Sequence, residues 1–221
     1  MMAVEITEEF VWQNIPRRPR DSHKGTFGSV LAVAGSAFYR GAALLAAEGA
    51  LRTGAGIVTL ASVEPVVSAA AARLLAEGAA FPYPAGELIV TPHPGEMARL
   101  TGLSAAQINA DREGTALRCA QAWNAVVVLK GTRTVVAAPD GRVRVNPTGN
   151  PGLSRGGSGD VLAGMTAALL ACRLPAYEAA ACAVYLHGAA ADRAAAVHGE
   201  YGMLPHDILP ELGRMFAEHQ R

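Results

Sequence analysis

The residues best suited to chemistry lie in one stretch, Asn146-Pro-Thr-Gly-Asn-Pro-Gly-Leu-Ser-Arg-Gly-Gly-Ser-Gly-Asp160, which runs straight into the apolar segment 161–170. Glycines let backbone N–H groups crowd together and point at one spot. A helix N-terminus adds unpaired N–H groups and the positive end of its dipole. Together they make an anion hole of the kind that holds phosphate. Asp160 stands at its rim. A carboxylate beside a phosphate repels the ligand, so its natural role is that of a base activating a hydroxyl. The plainer alternative is a Gly-rich turn with Asp160 as an ordinary helix N-cap.

Three further segments carry polar groups at the ends of apolar runs. Lys130-Gly-Thr-Arg-Thr134 follows Ala-Val-Val-Val-Leu and sets a cation and hydroxyls where a nucleotide's phosphate or sugar would fit; a solvated turn is the alternative. Only two of the 19 basic residues are lysines, and Lys24 and Lys130 each begin a Lys-Gly-Thr triplet. Lysine is a compact point charge suited to phosphate, whereas arginine is a planar fork. Thr91-Pro-His-Pro-Gly-Glu96 holds His93 between two prolines, so His93 can meet a ligand, act as a base or sit in a structural turn, and Glu96 can cap the next helix. His23-Lys24-Gly25-Thr26 either closes over a phosphate or is a solvated loop. His187 and Asp192 are polar positions on an Ala-rich helix, and His187 reads as a core histidine. Zinc-ligand spacing, a Gly-x-Ser-x-Gly elbow and a P-loop are absent from the sequence.

The elements that must position these groups alternate. Helices are expected at 7–14, 41–53, 66–77, 104–123, 161–172, 176–197 and 207–219, and strands at 28–34, 57–61, 87–91, 125–130, 134–138 and 142–145. Pro139-Asp140-Gly141 joins the last two strands as a hairpin. This order predicts an α/β sandwich with a mainly parallel sheet, whose ligands bind at the strands' carboxyl ends, where the motifs fall. At 221 residues and 51% hydrophobic, the chain suits one domain, 1–221, with a large core. Zero net charge points away from nucleic acid and anionic membrane as partners. No run reaches a membrane span and the N-terminus lacks a leader pattern. Cys119, Cys172 and Cys182 read as reduced thiols of a cytoplasmic protein.

The ordered set His23–Gly28, Gly41–Ala47, Thr91–Glu96, Lys130–Thr132 and Asn146–Gly164 resembles the ADP/ATP-dependent NAD(P)H-hydrate dehydratase family of the ribokinase-like fold. That resemblance implies a three-layer α/β/α sandwich. It also implies a cofactor-repair reaction: ADP or ATP, with magnesium, phosphorylates the hydroxyl of hydrated NADH or NADPH, and phosphate then leaves. It implies Asp160 as the base, Gly157, Ser158 and Gly159 as the anion hole, and Lys130, Gly131, Thr132, Arg133, Thr134 and Gly159 as nucleotide contacts. Ala42, His93 and Asp160 would meet the hydrated dinucleotide, and the working form would be a homo-oligomer. The chain departs from the family pattern near 78–87, where about two βα units, on the order of sixty residues, are missing. A shortened sheet and an incomplete substrate side follow. A nucleotide-binding homologue with weakened catalysis, or a vitamin or sugar kinase, are the other readings of the same motifs.

Overall fold

The computed structural model describes residues 3–34, 40–61 and 88–219. The chain opens with β1 (Val4–Glu5), α1 (Glu8–Asn14), β2 (Ser29–Val33), α2 (Arg40–Thr53) and β3 (Ile57–Ala61). It continues with β4 (Ile89–Val90), α3 (Pro94–Thr101), α4 (Ala105–Ala110), α5 (Arg112–Trp123), β5 (Val126–Leu129), β6 (Val135–Ala137) and β7 (Val143–Val145). Helices α6 (Ser158–Ala171), α7 (Ala176–His198) and α8 (Ile208–His219) close it. The expected helix at 66–77 and the shortened region at 78–87 lie outside the described residues.

Strand β5 explains the layering. All four of its residues are buried, because the sheet is covered on both faces and alternation gives way to a continuous apolar run. Val126 and Val128 face a core shared with α6, α7 and α8, while Val127 and Leu129 face α3, α4 and α5. The result is helix, sheet, helix, a three-layer sandwich.

Three of the five strand pairings are parallel, β1 with β7, β2 with β3 and β4 with β5, and the β5–β6–β7 hairpins are antiparallel. Among the described residues the strands form two sheets, one of order β1-β7-β6-β5-β4 and a β2–β3 pair. Val30 of that pair packs on α2 and α6, whereas Leu31 and Val33 on the other face are 66% and 45% exposed.

Two boundaries differ from expectation for local reasons. The helix expected at 104–123 is two helices, because Asp111 (φ −141°, ψ 69°) leaves helical geometry and its carboxylate caps Gly114 N–H at 3.0 Å. Helix α6 begins at Ser158 instead of 161, so Ser-Gly-Asp forms its first turn. The two-residue strand β1 has too short a pattern to be seen in sequence; its parallel register with Arg144 and Val145 supplies it.

Candidate active site

The start of α6 settles the status of Asp160. The N-cap is Gly157, at φ +103°, a conformation that a side chain would strain. Asp160 is three residues further on, inside the first turn, and makes no capping bond; the N-cap alternative is overturned. Ser158 N–H is engaged with the Arg155 carbonyl at 3.3 Å, and Asp160 and Val161 N–H both return to the Gly157 carbonyl. Gly157 and Gly159 N–H donate to no backbone carbonyl among the described residues, so they are the donors left for an anion. The Asp160 carboxyl is half-buried, and that desolvation lifts it above the ordinary aspartate range, with the nearby Lys130 ammonium pulling the other way.

Lys130 comes off the end of β5. Its N–H bonds to the Pro92 carbonyl at 2.9 Å, which lays the Lys-Gly-Thr turn beside Thr91–Glu96. Its ammonium pairs with Glu96 at 3.5 Å, and a Cβ added at Gly159 would sit 3.4 Å from it. The cation therefore reaches Gly159 at the α6 start. Gly131 (φ +144°) and Arg133 (φ +56°) shape the turn, and Thr134 Oγ1 donates to the Gly131 carbonyl at 2.9 Å. Arg133 pairs outward with Glu5 at 2.8 Å.

His93 is the N-cap of α3. Its Nδ1 accepts from Gly95 and Glu96 N–H at 3.0 and 3.1 Å, while Glu96 Oε2 accepts from His93 N–H at 2.7 Å. With Nδ1 occupied as an acceptor, a neutral ring carries its proton on Nε2, which lies 3.4 Å from Glu96 Oε1. His93 is thus a donor toward any ligand, and the base reading of it does not hold.

A cavity of about 610 Å³, within the size range of small-molecule sites, gathers these groups. Its lining includes His93, Lys130 to Thr134, Asn146 to Asn150, Ser158, Gly159, His187 and Gly188. Asp160 and Ala42 are outside that lining. Ala42 lies one turn of α2 before Leu45, whose Cδ1 would come within 2.6 Å of a Cβ at Gly157. The Lys24 turn is an exposed 3-10 segment packed on Gly56 and does not line the cavity, so its phosphate reading is not supported. Among the described residues no three His, Cys or carboxylate side chains converge as a metal cage.

Sequence reasoning assigned His187 to the core; it is buried, but at the cavity wall. One ring nitrogen bonds to the Ser158 backbone and Nε2 has no partner. Burial, aided by the Lys130 charge and opposed by the Ser158 bond, pushes its pKa down to about 4 from 6.5. The fold therefore favours the neutral ring. The stabilisation is full above about pH 6.5 and is lost as pH falls from there toward 4, at about 1.4 kcal/mol per unit. In urea unfolding, wild type is expected to lose on the order of 2–3 kcal/mol more than His187→Asn between pH 7 and 4.5.

The chain matches the NAD(P)H-hydrate dehydratase family over residues 60–214. It is 37% identical to a bifunctional NAD(P)H-hydrate repair enzyme of Moorella thermoacetica over 275 aligned positions, covering 92% of this chain and 52% of that one. It thus spans about half the length of such relatives, and the alignment is longer than the chain itself. The fold superposes on ADP/ATP-dependent NAD(P)H-hydrate dehydratase from Bacillus subtilis, co-crystallised with ATP and magnesium, with a TM-score of 0.88 and 32% identity over 99% of each chain. A ribokinase-like superfamily protein of Enterococcus faecalis shares the fold at a TM-score of 0.82 and 24% identity over 99% of this chain and 97% of that one. The match over residues 60–214, more than half of the chain, with these likenesses beside it, identifies the chain as a member of the NAD(P)H-hydrate dehydratase family.

Proposed function

We propose that this protein repairs hydrated NADH or NADPH, using ADP or ATP as phosphoryl donor. The observation that carries the reading is the α6 start, where a half-buried Asp160, the free N–H groups of Gly157 and Gly159 and the Lys130 ammonium meet. The nucleotide would lie in the cavity against Lys130 to Thr134, with its transferring phosphoryl group at Gly159. Arg133 and Thr134 would contribute through the turn's backbone and shape, since their side chains are engaged with Glu5 and Gly131. The hydrated ring would approach from the Asp160 side, with Ala42 and the His93 Nε2–H donor at its edges.

Asp160 would take the proton of the ring hydroxyl as that oxygen attacks the terminal phosphorus, and the bond to the nucleotide's bridging oxygen breaks. Phosphate then leaves the ring carbon with the C–O electron pair, and the adjacent ring carbon gives up a proton to solvent, which restores the double bond. Gly157, Gly159 and Lys130 would hold the charge on the moving phosphoryl group. Magnesium fits here as an ion carried by the nucleotide's phosphates, consistent with the lack of a side-chain cage among the described residues.

No described helix is long and apolar enough to cross a membrane. The three free cysteines support a reducing compartment, which we take to be the cytoplasm. Exposed Leu31, Val33, Leu44 and Leu51 support a homo-oligomer as the working form.

A second reading, nucleotide binding without turnover, is favoured by the alignment that exceeds the length of the chain. Incubation with NADH hydrate, magnesium and ADP, then ATP, separates the two. Return of the reduced-nicotinamide absorbance is the expected result. ADP binding with no return of absorbance over hours would support the second reading instead.

A further inference from the structure

Helix α7 is alanine-rich, yet it carries Asp192, whose carboxylate bonds to two residues of the cavity wall. The cavity wall from Asn146 to Asn150 has no regular structure and includes Gly149 at φ +104°. Four hydrogen bonds tie this wall to α7. Asn146 Nδ2 donates to the Val184 carbonyl at 3.4 Å and Thr148 Oγ1 to the Tyr185 carbonyl at 2.9 Å. Those acceptors are backbone, and most residues at 184 and 185 would supply them. The other two end on a single side chain: Gly149 N–H donates to Asp192 Oδ2 and Asn150 Nδ2 donates to Asp192 Oδ1, both at 2.9 Å. Meanwhile Asn150 Oδ1 accepts from Gly152 N–H at 2.9 Å and caps the next turn.

We infer that Asp192 is a positioning residue for the bound nucleotide. It acts through the 148–150 wall and touches no ligand itself. Two charge-assisted bonds from one rigid helix fix where Thr148, Gly149 and Asn150 stand before the ligand arrives. The chemistry is specific to a carboxylate. In Asp192→Asn, one oxygen can still accept from Gly149, but the new amide faces the Asn150 amide, donor against donor. Asn150 can relieve this only by turning over and losing Gly152. The reciprocal pair Asp192→Asn with Asn150→Asp restores every bond: Asn at 192 donates, and Asp at 150 accepts from both 192 and Gly152.

The inference rests on the nucleotide reading of the cavity, so the test is ADP binding by calorimetry, alongside thermal unfolding. Asp192→Asn is expected to bind ADP about ten- to a hundredfold more weakly at temperatures where it is fully folded. The reciprocal double variant is expected to recover most of that loss. Wild-type affinity in folded Asp192→Asn would overturn the inference and reduce Asp192 to a structural contact. So would a weakened single variant that the double variant does not rescue. A wild-type chain that binds no ADP would instead overturn the nucleotide reading, and this inference with it.

Discussion

Asp160→Asn is expected to slow turnover of the hydrated cofactor by about 10²–10⁴-fold while leaving ADP binding within about threefold of wild type. The substitution keeps shape and removes only the capacity to accept a proton. General base catalysis contributes about 10²–10⁴-fold, equivalent to roughly 3–5 kcal/mol of barrier. Binding should survive because, in the proposed function, the nucleotide's phosphates meet the backbone of Gly157 and Gly159, which the substitution does not touch, and Asp160 is outside the cavity lining. The pH profile adds a second signature. Burial holds the Asp160 carboxyl above the ordinary range, and a base must be ionised to act. Wild-type kcat/KM should therefore fall as pH drops through a value above 3.8, and the residual activity of the variant should lack that limb. Turnover by the variant within tenfold of wild type would remove Asp160 from the base role.

How much of this was legible in the sequence depends on the range over which each feature is encoded. Strand β5 announced itself because burial on both faces needs an unbroken run, and Val126 to Leu129 supply one. The glycine-rich helix start and Asp160 are equally plain as candidates, being local to a few consecutive residues. The start of α6 was set three residues late because apolar periodicity begins at Val161, while Ser158, Gly159 and Asp160 are weak helix formers. The break at Asp111 was missed because a side-chain cap interrupts a helix that the apolar pattern alone continues. The Asn146–Asn150 wall lies within the glycine-rich Asn146–Asp160 motif, but its ties to α7 are not readable from sequence. Thr148 meets Tyr185 across 37 positions and Gly149 meets Asp192 across 43, contacts made only when α7 packs on the sheet. The one available signal was that His187 and Asp192 are polar on an alanine-rich helix, and it does not say what they face. Lys130 stands out in the sequence, but its pairing with Glu96 and its reach to Gly159 come from β5 lying alongside the Thr91–Glu96 turn.

Gly164→Ala tests the scaffold beneath that site. Helices α2 and α6 approach through two glycines. A Cβ at Gly164 would fall 2.0 Å from the Ala46 carbonyl oxygen and 2.8 Å from its carbon, and one at Gly49 would fall 2.7 Å from the Val161 oxygen. These are backbone atoms, so no rotamer change relieves the clash and the helices must separate. Overpacking of this kind costs about 1–3 kcal/mol and sometimes more. With contact against a backbone carbonyl, about 3 kcal/mol or more is expected, a large share of a total stability near 5–15 kcal/mol. Gly41→Ala, on the same α2 but with nothing within 4 Å, is the control, and the helix propensity of alanine should make it neutral or stabilising by up to about 1 kcal/mol. Urea unfolding midpoints at a common slope give both values. The consequence extends to the chemistry. Asp160 sits one turn before Gly164 on α6, and Leu45 of α2 lies against Gly157, so moving the helices apart shifts the α6 start, Asp160 included, relative to Ala42 and the rest of α2. Folded Gly164→Ala should therefore turn over more slowly than Gly41→Ala as well as being less stable. Wild-type stability in Gly164→Ala would mean that α2 and α6 do not meet at this distance.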